Sequence, residues 1–225
     1  MGRGGFEPPK ALGQLIYSQS RLTTSVSARP ADSTDNRPMG RHRSIMWQGL
    51  LAPSLERLVL SQMSDGLEFS GLILQAQDEL AYVARYRIVV DPSWVTREVN
   101  IEVEGETSHQ LTLLQTSRGE WLRDGRGMPE LDGIHDSDLE WSPSTNTLPI
   151  RRLALRPGMS ATVVAAWVRF PSLTVERLEQ SYERVDEWRY RYRAGNFQAD
   201  LQVDADGLVT SYGANWRAVA ESGWS

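Results

Sequence analysis

Residues 80–104 read LAYVARYRIVVDPSWVTREVNIEVE, and this stretch decides the fold. Leu80, Tyr82, Ala84, Tyr86, Ile88 and Val90 take every second position, while Glu79, Arg85, Arg87 and Asp91 fall on the opposite face. Alternation with a period of two is the pattern of a half-buried strand. Asp91-Pro92-Ser93 supplies turn chemistry. Val95, Val99, Ile101 and Val103 then alternate with Thr96, Glu98, Asn100, Glu102 and Glu104, and only Arg97 breaks the apolar face. Leu111 and Leu113 continue the pattern in a third strand that stops near Ser117-Arg118-Gly119.

The same period recurs downstream. Phe197, Ala199, Leu201 and Val203 alternate with polar residues, run into Asp206-Gly207, and return as a short strand from Leu208 to Tyr212. Asp-Gly between alternating runs is a strong hairpin signal. Ala161 to Phe170 is apolar on both faces, as a strand covered twice or backed by a filled interior would be. Val175, Leu178, Tyr182 and Val185 have helical spacing, but Thr174-Val175 opens the segment and a strand-like run follows it, so a strand is preferred. In that following run Trp188, Tyr190 and Tyr192 face one way, and Arg189, Arg191 and Arg193 the other. The expectation is all-β: one domain over residues 46–225, a curved antiparallel sheet of about ten strands closing to a barrel or half-barrel.

Residues 1–45 lack periodicity and hold Pro8, Pro9, Pro30, Pro38 and a Ser/Thr-rich run from Ser18 to Ser27. They are expected to be a disordered tail, read as translation from a mis-called start, with Met39 and Met46 as candidate true starts. A chain beginning at Met46 is then expected to keep its full stability. This segment carries seven basic residues against Glu7, Asp32 and Asp35, a net of +4, which leaves −9 of the chain's −5 for the remainder. An acidic domain repels phosphate backbones, so nucleic acid is not an expected partner. The chain has no Cys, which excludes thiol nucleophiles and thiolate metal sites and fits a reducing, cytoplasmic setting. No run approaches the roughly 20 apolar residues of a membrane span.

Phosphate-loop, nucleophile-elbow, dinucleotide and zinc-protease motifs are all missing, so no catalytic residue, cofactor or metal is expected. Three constellations remain. Asp132, Asp138 and Glu140 lie in an acidic loop and give a carboxylate-dependent hydrolase as an alternative reading. Arg151 and Arg152, taken as strand neighbours, point to opposite faces. The enclosed one then needs an acidic partner such as Asp132 or Asp138, a carbonyl, or an anionic or polar ligand head group. Trp188, Tyr190 and Tyr192 form a ladder suited to a packed interior or a stacking surface.

Residues 131–153, LDGIHDSDLEWSPSTNTLPIRRL, are followed by AAWVRFPSLTVERLEQSYER at 165–184, WRYRY at 188–192 and VDADGLVTSY at 203–212. These segments resemble the bacterial family called putative glycolipid-binding, whose S-P-x-T-N-T-L-P-I-R-R-L run is reproduced from Ser142 to Leu153. The downstream Gln180 and Tyr182 and the run from Val203 to Val209 also match. Where the family often has Cys after Asp-Gly, this chain has Ile134. The resemblance implies a half-barrel like those of lipid carriers, with an apolar concavity for acyl chains. Those carriers work in the periplasm, whereas no export signal is read here. On this reading acyl chains lie against Trp121, Trp167, Tyr182, Tyr190 and Tyr192, and a polar head group meets Asn146, Arg151 or Arg152. The expected function is non-enzymatic binding of a lipid or glycolipid. A structural module with a filled barrel is a further alternative.

Overall fold

The computed structural model describes residues 40–225. Fifteen strands form a single sheet, more than the expected ten. The first arm is a meander: β1 (His42–Gly49), β2 (Ser54–Met63), β3 (Gly66–Gln77), β4 (Leu80–Val90), β5 (Thr96–Glu104), β6 (His109–Gln115), β7 (Trp121–Arg123) and β8 (Arg126–Gly127). The second arm contains β9 (Asp136–Leu139), a single helix α1 (Thr147–Leu153), then β10 (Ser160–Val168), β11 (Val175–Arg184), β12 (Arg189–Ala194), β13 (Phe197–Val203), β14 (Val209–Tyr212) and β15 (Trp216–Glu221). The strand order runs from β8 back to β1, across to β15, and down to β9. Every neighbouring pair is antiparallel except β9 with β10.

The sheet curls without closing. Its β9 edge reaches back to β5, where the Thr96 N–H donates to the His135 carbonyl at 2.9 Å and the Ser137 N–H to Thr96 Oγ1 at 3.1 Å. No ladder joins β8 to β9, so of the expected barrel or half-barrel the closed form is corrected to a curled, open sheet.

The alternating stretch behaves as its period requires. Ala84, Tyr86, Ile88 and Val90 of β4 and Val99, Ile101 and Val103 of β5 are buried together on the inner face. Each such fully buried aliphatic side chain contributes roughly 1.5–3 kcal/mol. Arg97 breaks the pattern because it is the extra residue of a bulge: Val89 pairs with Glu98 and Val90 with Thr96. Its guanidinium reaches Asp91 Oδ2 at 2.6 Å and Gln115 Oε1 at 2.8 Å. Residues 175–184 are a strand, as preferred. The Asp206-Gly207 turn closes a hairpin, with the Gly207 N–H on the Asp204 carbonyl at 3.0 Å.

Residues 1–39 of the expected tail lie outside the described residues. His42 to Ile45 do not belong to a tail, because they form the first half of β1 and pair with Leu58 to Ser61 of β2. Ile45 is buried, and Arg43 points inward to Asp204 at 2.8 Å and Asp206 at 2.5 Å. The domain therefore starts before Met46. Among the described residues no helix is long and apolar enough to cross a membrane.

Candidate functional site

The inner face of the curl is occupied by the protein's own SPSTNTLPIRRL segment. After β9 the chain turns at Ser142-Pro143, makes a 3-10 turn over Ser144–Asn146 and continues as α1. Pro149 lies in the first helical turn, where a missing N–H costs nothing. Ala154 ends the helix in the left-handed conformation, φ 45°. Every residue from Trp141 to Ile150 is buried. Several of these are polar, and a polar group taken from water must find a partner. Two clusters result.

The first lies under β2 and β4. Glu56, fully buried, accepts from the Tyr86 hydroxyl at 2.5 Å and the Ser142 hydroxyl at 2.7 Å through Oε1. Ser144 Oγ lies 2.8 Å from the Tyr86 hydroxyl and 2.6 Å from Ser142 Oγ. Gly71 makes this geometry possible, since a Cβ there would stand 2.1 Å from the Tyr86 ring. Burial pushes the Glu56 carboxyl up to about 8, against the opposing pull of Tyr86 and Ser142, so it is largely protonated near neutrality. Its Oε2 has no partner among the described residues.

The second cluster lies under β9 and β11. Asp138 accepts from Thr145 Oγ1 at 2.7 Å and Gln180 Nε2 at 2.6 Å. The Tyr182 hydroxyl reaches Asn146 Oδ1 at 3.0 Å and Gln180 Oε1 at 3.2 Å. Burial raises the Asp138 carboxyl despite these donors. From Tyr182 an aromatic column runs outward: Tyr192 lies 5.2 Å away by ring centroids, then Tyr212 at 5.9 Å and Phe197 at 6.1 Å. Burial, reinforced by the Asp138 charge, raises the Tyr192 phenol and, with Tyr192 beside it, that of Tyr212. Phe197, at the outer end, is 41% exposed. The carboxylate, the two amides and the phenol bond within one buried network, and the rings that lead from it to solvent end at Phe197, whose exposed face can stack a polar ring.

The candidate residues are dispersed over several environments. Asn146, Tyr182 and Tyr192 meet in the second cluster. Trp121 has no exposed surface and donates through Nε1 to the Ile134 carbonyl at 3.0 Å, so it is core. Trp167 lies partly exposed beneath the Arg169 guanidinium, 4.2 Å from its ring centre. Tyr190 carries Arg184 at 5.6 Å, and with Arg151 and Trp188 it lines a cavity of about 270 Å³.

Arg151 and Arg152 are helical, not strand neighbours, which corrects the expected geometry. Their outcomes still differ. Arg152 binds Asp136 with both nitrogens, Nε to Oδ1 at 3.0 Å and NH2 to Oδ2 at 2.5 Å. Its partner is thus neither Asp132 nor Asp138. Arg151 is exposed and lies 5.0 Å over the Trp94 ring.

The three acidic residues of the hydrolase alternative are engaged separately. Asp132 accepts the Trp121 N–H at 3.0 Å, Asp138 belongs to the second cluster, and Glu140 holds Arg169 and the Phe170 N–H. Among the described residues no group of three or more His, Cys, Asp or Glu is placed to hold a metal ion. Glu56, Tyr86, Tyr212 and Phe197 were missed as site residues. For Glu56 the signal was its place on the apolar parity of Leu58 and Leu60.

The family model described as "Putative glycolipid-binding" matches residues 44–218. The chain belongs to that family. The matched span includes both clusters and all of α1. A crystal structure of a DUF1089 family protein from Pseudomonas aeruginosa is similar, at 36% identity and a TM-score of 0.65, over 71% of this chain and 88% of that one. A β-barrel-like protein of the domain of unknown function DUF1849 from Brucella abortus has 8% identity and a TM-score of 0.46, over 83% and 98%. No curated protein matches the chain.

Proposed function

We propose that this domain binds a glycolipid without transforming it, and that it reads the sugar at the aromatic column of β11 to β14. The observation that carries this reading is convergence. Asn146, Gln180, Tyr182 and Tyr192 come from three separated family segments; Asp138, Thr145, Gln180, Tyr182 and Asn146 form one hydrogen-bonded network, and Tyr192 packs on Tyr182. A few fixed polar groups beside apolar rings are the usual make-up of a small-molecule site. A pyranose has an apolar C–H face for Phe197 and Tyr212 at the outer end of the column, while the buried Asn146, Gln180 and Tyr182 hold the column in place from the inside. Acyl chains do not need the inner concavity on this reading, since Trp141 to Ile150 fill it.

The test is titration of the full chain with dodecyl maltoside below its micellar concentration, against a sugar-free ether of equal chain length. The sugar amphiphile should bind more tightly, and Phe197→Ala should weaken it by roughly tenfold, or about 1.4 kcal/mol. Equal binding of both amphiphiles, or an unaffected Phe197→Ala, overturns the proposal. A second reading, a module with a structural role only, is favoured by the filled interior; an absence of any binding supports it.

A further inference from the structure

The outer face of the first arm carries a feature that neither inner cluster uses. Cross-strand register sets Arg57, Leu72 and Arg85 side by side on β2, β3 and β4, and the adjoining row is Leu55, Leu74 and Val83. Adjacent strands lie about 4.8 Å apart, so the two arginines straddle Leu72 with about 10 Å between their backbones. Leu55, Leu72 and Leu74 are 37%, 39% and 45% exposed. The row beyond the arginines runs Val59, Ser70, Arg87, Asn100 and Thr112, polar in all but Val59. A groove of about 600 Å³ runs over Arg57, Leu72, Arg85, Asn100 and Thr112, with Leu55 and Leu74 beyond its margin.

The charges here are unequally satisfied. Arg87 is held by Glu68 at 2.7 Å and Glu98 at 2.8 Å. Arg57 and Arg85 make no ion pair or side-chain hydrogen bond among the described residues. Glu102, the cross-strand neighbour of Arg85, accepts from Gln110 Nε2 at 3.1 Å instead. Two free guanidiniums on a chain of net charge −5, next to exposed leucines, complement a ligand that is both anionic and apolar. The guanidinium fork matches the oxygens of phosphate or carboxylate.

We infer that this groove is a second ligand site, which takes the phosphate or carboxylate of an anionic amphiphile between Arg57 and Arg85, lays its first methylenes along Leu72, and lets the chain leave the groove over the adjoining exposed Leu74 and Leu55. It stands apart from the inner cluster, so either site can fail without the other.

Dodecyl phosphate, added to the full chain below its micellar concentration and followed by backbone amide NMR, tests the assignment. Shifts should concentrate at residues 55–57, 72–74 and 83–85. The double variant Arg57→Gln/Arg85→Gln, at exposed positions and hence folded, should weaken binding by roughly tenfold or more, and Phe197→Ala should not. Inorganic phosphate alone should bind roughly tenfold more weakly than dodecyl phosphate or worse. Equal affinity for the two would overturn the apolar half of the site. Unchanged binding by the double variant, or shifts confined to Phe197 and Tyr212, would overturn the site altogether.

Discussion

Glu56 is an acid in a place built for an aliphatic side chain, one step from Leu58 and Leu60 on the same inner face. In the unfolded chain its carboxyl titrates near 4.5, and in the fold burial raises it to about 8. Between those values the folded form holds a proton that the unfolded form has lost. Raising pH through this window therefore favours unfolding, and the loss levels off above pH 8. A displacement of this size corresponds to roughly 5 kcal/mol, at about 1.4 kcal/mol per pH unit. Urea melts from pH 5 to 9 should show that decline, and Glu56→Gln should remove most of it, because the amide oxygen still accepts from Tyr86 and Ser142. A wild-type profile as flat as that of the variant would refute the protonated state.

The arginine pair gives a second contrast at this scale. Removing Arg152 leaves Asp136, 1% exposed in its side chain, as an unpaired buried charge, and Arg152→Ala should cost about 3 kcal/mol or more. Arg151→Ala loses an exposed contact with Trp94 and should cost about 1 kcal/mol or less. Urea melts of the two variants measure the difference. That these neighbours differ was legible in the sequence, but not the reason. Seven helical residues, Pro149 among them, are too few to display a helical period, and between β-rich segments they look like a strand.

Among the elements, β1 shows most clearly what composition hides. Arg43 and Ile45 were grouped with a polar, proline-rich segment, although the run Arg43, Ile45, Trp47 faces inward like any other strand. Starting the chain at Met46 would delete Ile45 from the core and leave Asp204 and Asp206 without Arg43. The combined loss is roughly 5 kcal/mol, which for a domain of this size lowers the melting temperature by about 10 °C or more. A chain starting at Gly40 keeps all these contacts and should melt with the full-length protein. Thermal melts of the two truncations side by side check this. Equal melting temperatures would show β1 to be dispensable up to Met46. By contrast β4, β5, β13 and the Asp-Gly hairpin were legible, because long half-buried strands carry their period on the surface of the sequence.

Across the whole molecule, alternation identified the class but undercounted the strands. β7, β8, β9 and β14 have two to four residues each, too few to display a period. Nor does parity distinguish an open curl from a closed barrel, since the inner face is apolar in both. The site was only partly legible for a related reason: Asn146, Tyr182 and Tyr192 converge because of how the curl is filled, and no local pattern encodes that filling. The pairing of β1 with β15, Ile45 opposite Glu221, has a further consequence for the chain's history. Apart from the parallel β9–β10 pair, each arm is a run of hairpins that form from near neighbours, but the seam between the arms joins the first described strand to the last. On the ribosome, β1 must wait with a bare edge until β15 emerges. During that interval the same edge can recruit β15 from another nascent copy, so crowded synthesis, rather than heat, is the hazard this topology carries.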